Sequence, residues 1–128
     1  MRKIFTLSVV ALLLALAAFA KVANLDGVIE ALKKGNAAEL IKYADDNVEI
    51  GLPNKSGTFT KAETAVLLKD FFANNNVKLF EVKHKGNNEG RLFCIGVLHT
   101  NTGSYRTQVF MNNKDGQQVI KLLSFQAQ

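Results

Sequence analysis

The side chains able to do chemistry are few, and three of them share one stretch, HTNTGSYRTQVF, residues 99–110. His99 could serve as a general base, Tyr105 as a hydrogen-bonding hydroxyl and Arg106 as an anion partner. His84 and Cys94 complete the inventory. A thiol becomes a nucleophile where a base or positive centre lowers its pKa. The sequence supplies no such neighbour, so Cys94 reads as an inert packing thiol. No HExxH, CxxC or clustered-carboxylate motif is present, and neither a metal nor a cofactor is expected.

Whether these groups form a site depends on the elements that hold them. Residues 24–34 carry the apolar spacing of a helix (Leu25, Val28, Ile29, Leu32), with Asn24 as its expected cap and Gly35 as its stop. Asn36 and Glu39 open a second helix, through Ala37, Leu40, Ile41 and Ala44, that Asp45-Asp46-Asn47 should end. A short hairpin follows, Val48 to Leu52 returning at Thr58-Phe59. Thr60-Lys61-Ala62-Glu63 is a capping box for a third helix with Leu67, Leu68, Phe71 and Phe72 on one stripe. Four strands fill Val77 to Phe125, separated by turn-rich segments. Helices ahead of an antiparallel meander define an α+β fold, with the helices packed on one face of a curved sheet.

The amino terminus has a different character. Arg2 and Lys3 precede an apolar run, Ile4 to Leu16, and Ala18-Phe19-Ala20 has the small-x-small form of a signal-peptidase site. Residues 1–20 are therefore expected to be a cleaved signal peptide, and 21–128 a single domain in the periplasm or the medium. The apolar run is shorter than the ~20 residues of a membrane span, so no stable anchor is expected after cleavage. Loss of Arg2 and Lys3 takes the net charge from +5 to +3. The remaining cations are scattered, which argues against nucleic acid or anionic lipid as a partner.

Strand registers decide which residues meet, because a one-residue slip exchanges the two faces of a sheet. A three-residue loop at Asn101 to Gly103 places Val97 opposite Thr107, Ile95 opposite Val109, Phe93 opposite Met111 and His99 opposite Tyr105. Four-residue loops at Asn87 to Gly90 and Asn113 to Gly116 bring Phe80, Val82, His84, Ile120 and Leu122 to the same inner wall. His84, Phe93, Ile95, Val97, His99 and Tyr105 are then the ligand-pocket candidates. The two histidines sit roughly 20 Å apart on that wall, too far to share a metal. The outer face would carry Leu79, Cys94, Leu98, Phe110, Leu123 and Phe125. An apolar outer face calls for a partner, and a homodimer is the expected one.

The element order, together with Asp70-Phe71-Phe72, Phe80-x-Val82-x-His84-x-Gly86, Ile95-Gly96, Thr102-Gly103-Ser104-Tyr105-Arg106 and the closing Ile120 to Phe125, resembles the nuclear transport factor 2-like (cystatin-like) superfamily. Within it the chain is similar to a family of small exported domains of unknown function from Gram-negative bacteria. The resemblance implies a sheet wrapped around a long helix, with a cone-shaped cavity between them. Enzymes of the superfamily place an acid or a His/Asp pair inside that cone. Neither Glu49 nor Glu81 is an evident inward acid here. A non-catalytic binding or interaction domain is therefore expected, homodimeric and open to a small apolar ligand. The alternative is a small lyase, isomerase or hydrolase using His84, or His99 with Tyr105. An inhibitor role would need an exposed apolar wedge loop, which the sequence lacks.

Overall fold

The computed structural model describes residues 24–128, so the signal-peptide expectation for residues 1–20 lies outside it. Helix α1, residues 24–34, buries Leu25, Val28, Ile29, Ala31 and Leu32. It ends as its sequence predicts. Gly35 turns left-handed (φ 62°), while the Asn36 and Gly35 amides donate to the Ala31 and Leu32 carbonyls. Asn24 is itself helical and does not cap; its side-chain amide donates to the Gln118 carbonyl at 3.2 Å.

Helix α2 is only Ala37–Ile41, with the Asn36 side chain accepting from the Glu39 amide. The expected extension to Ala44 fails because strand β1, Ala44–Leu52, begins there and absorbs Asp45, Asp46 and Asn47. Tertiary bonds set this boundary. The Ile120 amide donates to the Tyr43 carbonyl at 2.7 Å, and the Asp45 carboxylate is held by Lys114 and Lys121. Pro53-Asn54 turns the chain into β2, Lys55–Thr60. The Thr60–Glu63 capping box then starts α3, Lys61–Asn74.

The meander comprises β3 (Val77–Asn88), β4 (Arg91–Thr100), β5 (Gly103–Lys114) and β6 (Gln117–Ala127). The sheet has six strands in the order β2-β1-β6-β5-β4-β3, with β1 parallel to β6 and the other neighbours antiparallel. α3 packs on its concave side. Phe71 stacks on Phe125 (centroids 4.7 Å apart), and Phe72 meets the same ring edge-on.

Register is where the structure departs from the sequence expectation. Each meander turn has two residues, not three or four. Glu89-Gly90 and Asp115-Gly116 have positive φ at both positions, the type I′ geometry whose twist matches paired strands. In each, an asparagine three residues before the glycine accepts its amide: Asn87 from Gly90 and Asn113 from Gly116. These asparagines, expected in loops, are strand residues bracing tight turns. At the third turn Thr100 pairs with Gly103, and the Thr100 hydroxyl accepts from the Thr102 amide.

The shift by one reverses most of the face assignments along β4. Val97 lies opposite Arg106, Ile95 opposite Gln108 and Phe93 opposite Phe110, all on the outer face. Leu92, Cys94, Gly96, Leu98 and Thr100 face the helices and are buried. Two bulges add further inversions. In β3 the register shifts between Val82 and His84, so Phe80 and Val82 point inward but His84 points outward. In β6 the shift between Ile120 and Leu122 leaves Ile120 inside and Leu122 outside.

Candidate functional site

The expected pocket does not assemble. Five of its six candidates, His84, Phe93, Ile95, Val97 and His99, belong to the outer face, and only Tyr105 faces α3. His99 pairs with Ser104 and Leu79 in the sheet, while Tyr105 pairs with Leu98. The two candidate catalytic groups therefore lie on opposite sides of one sheet.

The cone itself is occupied by side chains. Leu98, Val109, Leu123 and Phe125 project from the sheet onto Leu68, Phe71 and Phe72 of α3, and all are buried. Cys94, Leu98, Leu123 and Phe125 thus belong to the core and not to a dimer face, each at 1% exposure or less. Burial pushes the Cys94 thiol up to about 11, against a smaller opposing influence from Lys85. A thiol held protonated in this way is a poor nucleophile.

Beside the carboxyl end of α3 a cavity of about 500 Å³ remains, lined by residues that include Asn54, Asp70, Asn74, Asn75 and Tyr105. Its central groups are committed to one another. The Tyr105 hydroxyl donates to Asn75 Oδ1 at 2.9 Å, the Thr102 hydroxyl donates to the same oxygen, and Asn75 Nδ2 donates to the Phe71 carbonyl at 2.8 Å. The Asn76 amide donates to Asn101 Oδ1. Asn75 and Asn76 thereby latch the carboxyl end of α3 to the β4–β5 turn. Buried Gln118, at the start of β6, donates to the Gly90 carbonyl and accepts from the Leu92 amide, tying β6 to the β3–β4 turn. Sequence reasoning passed over both devices. An asparagine tract directly after a helix was the available signal for the first, while buried Gln118 had none.

The outer face holds the larger feature. The Phe93 and Phe110 rings stack across β4 and β5 with centroids 6.1 Å apart, and His84 lies against Phe93 at 5.2 Å. Ile95 and Leu122 join the two rings around an open groove of about 410 Å³, with Glu49 and Arg91 at its margins. Phe110 is 39% exposed, and Leu79, outward on β3, is 55% exposed. Among the described residues neither Glu49 nor Arg91 has an ion-pair partner.

One polar constellation shares this face. His99 Nδ1 lies 3.0 Å from Ser104 Oγ, and Nε2 lies 3.5 Å from Glu81 Oε1. Hydrogen bonding from Lys83, then from His99, holds the Glu81 carboxyl below its usual range. The three residue types match a hydrolytic triad, but His99 and Ser104 are direct cross-strand partners on the outer face of β4 and β5. Acyl transfer requires a bound substrate and oxyanion donors beside the nucleophile. The trio reads as cross-strand pairing. Among the described residues no group of three His, Cys, Asp or Glu side chains could hold a metal ion.

A six-stranded open sheet curved over a long helix, with the amino-terminal helices on the same side, is the nuclear transport factor 2-like α+β fold. Two solved structures share it at fold level. One is the NTF2-like design Rd1NTF2_05 (18% identity, TM-score 0.61, covering 78% of this chain and 90% of that one). The other is an uncharacterized cystatin fold protein from Novosphingobium aromaticivorans (11% identity, TM-score 0.59, covering 83% and 97%). The chain belongs to the family described as domain of unknown function DUF4783, whose model matches residues 25–126. It is similar to a DUF4783 family protein from Bacteroides uniformis, at 34% identity and a TM-score of 0.78, over 80% of this chain and 95% of that one. No curated protein matches the sequence.

Proposed function

We propose that this protein is a non-catalytic interaction domain, exported from the cytoplasm, that self-associates through the outer face of its sheet. The observation that carries this reading is the stacked Phe93–Phe110 pair with Ile95 and Leu122, an apolar groove on the side the helices leave uncovered. Solvent-facing aromatics flanked by unpaired Glu49 and Arg91, with Lys121 already paired to Asp45, suit a self-complementary surface. Under a two-fold axis, Arg91 of one copy can approach Glu49 of the other while the apolar centre buries itself. Export rests on the leader-like residues 1–20.

Two other readings have less support. A small apolar ligand inside the cone would have to share it with Phe71, Phe72 and Phe125, which pack together there, leaving only the cavity beside Tyr105 and Asn75. An enzyme using His99 with Tyr105 would need both on one side of the sheet. The test is Phe110→Glu, examined by light scattering after size exclusion. The unmodified protein should elute with twice the chain mass and the variant with the chain mass, both keeping the same circular dichroism. A variant that stays as associated as its parent would remove the outer face from the interface.

A further inference from the structure

The helical side carries a second groove, unrelated to the sheet face, of about 730 Å³. One wall is the stripe Ala65, Lys69, Phe72 and Ala73 of α3, residues at the i, i+4, i+7, i+8 spacing of a single helix face. The other wall is the α1–α2 corner, with Lys34, Ala37 and Ile41. The groove stays open because alanines stand where larger side chains would fill it. Its size falls within the ~300–1,000 Å³ typical of small-molecule sites.

Its charge is one-sided. Lys34 and Lys69 both line it, and no acid does. Nearby lysines on the same elements are neutralised locally, Lys33 by Glu30 and Lys42 by Glu39. Lys34 and Lys69 have no such partner among the described residues. An apolar floor between two unpaired cations fits a molecule with one anionic end and a hydrocarbon body. The chain's own amino-terminal segment does not fit, since its head carries Arg2 and Lys3, of the same sign.

We infer that this groove binds a fatty-acid-type anion, its carboxylate between Lys34 and Lys69 and its chain along Ala37, Ile41 and Phe72. Because the groove and the sheet face lie on opposite sides of the domain, this site and the self-association surface stand or fall separately.

The test is an amide-shift titration of the purified protein with dodecanoate below its micelle concentration. Acetate and dodecyltrimethylammonium are the comparison probes. Dodecanoate should give saturable shifts at Ala37, Ile41, Phe72 and Ala73, and the other two should not. Lys34→Glu with Lys69→Glu should weaken binding roughly tenfold or more, the scale of losing charge-assisted contacts. Ala65→Phe, which fills the groove without changing its charge, should block binding as well and serves if the double variant does not fold. Absence of saturable shifts, equal binding of the cationic amphiphile, or shifts confined to the outer sheet face would overturn the proposal.

Discussion

Phe93 and Phe110 stack on the face of the sheet opposite the described helices, 6.1 Å between centroids and 20° between planes. Side chains of this size on a surface contribute little to the fold of one chain, because substitutions away from the core usually change stability by about 0.5 kcal/mol or less. Phe110→Ser should therefore leave the thermal midpoint of a dilute, monomeric sample nearly unchanged while weakening self-association. Thermal melts at two protein concentrations separate these effects. Only the unmodified protein should show a midpoint that rises with concentration.

Cys94 makes the opposite prediction. It is fully buried opposite Val109, and its thiol is held protonated by that burial. A thiol reagent should leave the native protein unlabelled at neutral pH and react on unfolding. Cys94→Ser should cost about 1–3 kcal/mol, because a hydroxyl would be buried there without a partner. Rapid native labelling would place β4 in the other register.

Asp45 ties β1 to the β5–β6 hairpin. Lys114 at 2.8 Å, the Asp46 amide and Lys121 together lower its carboxyl from 3.8 to about 2. A carboxyl whose folded pKa is depressed adds stability above its unfolded pKa and loses it as pH falls through the folded value. The contribution is thus complete above about pH 4 and gone below about pH 2. Asp45→Asn should lower stability at pH 7 by on the order of 1 kcal/mol and flatten the acid limb of the unfolding curve over that window. Chemical denaturation at several pH values reads both.

Tyr105→Phe removes the hydroxyl that donates to Asn75 and leaves the ring against Phe71, 5.3 Å away. The loss should be about 1 kcal/mol, the net worth of one hydrogen bond. Amide exchange should quicken at Asn76 and Asn101, whose mutual bonds form the adjoining part of the latch. Unchanged exchange there would mean that Tyr105 does not brace the turn.

Much of the architecture is legible in the sequence because its signals are local. The Thr60–Glu63 box, the Gly35 stop and the alternation of the last four strands each act over a few residues. Face assignment is not local in this sense. It depends on whether Asn87 and Asn113 sit in the loop or at the end of the strand, and on bulges near Lys83 and Lys121. Apolar residues occur at both parities of β4, Phe93-Ile95-Val97 and Leu92-Cys94-Leu98, so hydrophobic pattern alone could not choose the buried set. The same ambiguity gave the sheet its second apolar face. The sequence leads to an apolar outer face, but of the six residues assigned to it only Leu79 and Phe110 lie there. The β1–β6 pairing, parallel and closed by ion pairs from distant residues, left no local trace.

Sedimentation equilibrium of the unmodified protein over the micromolar range tests self-association most directly. A mass of twice the chain, reverting to one chain on Phe110→Glu, is the expected result. A single-chain mass throughout that range would contradict it and leave Phe93 and Phe110 as surface residues of a monomer.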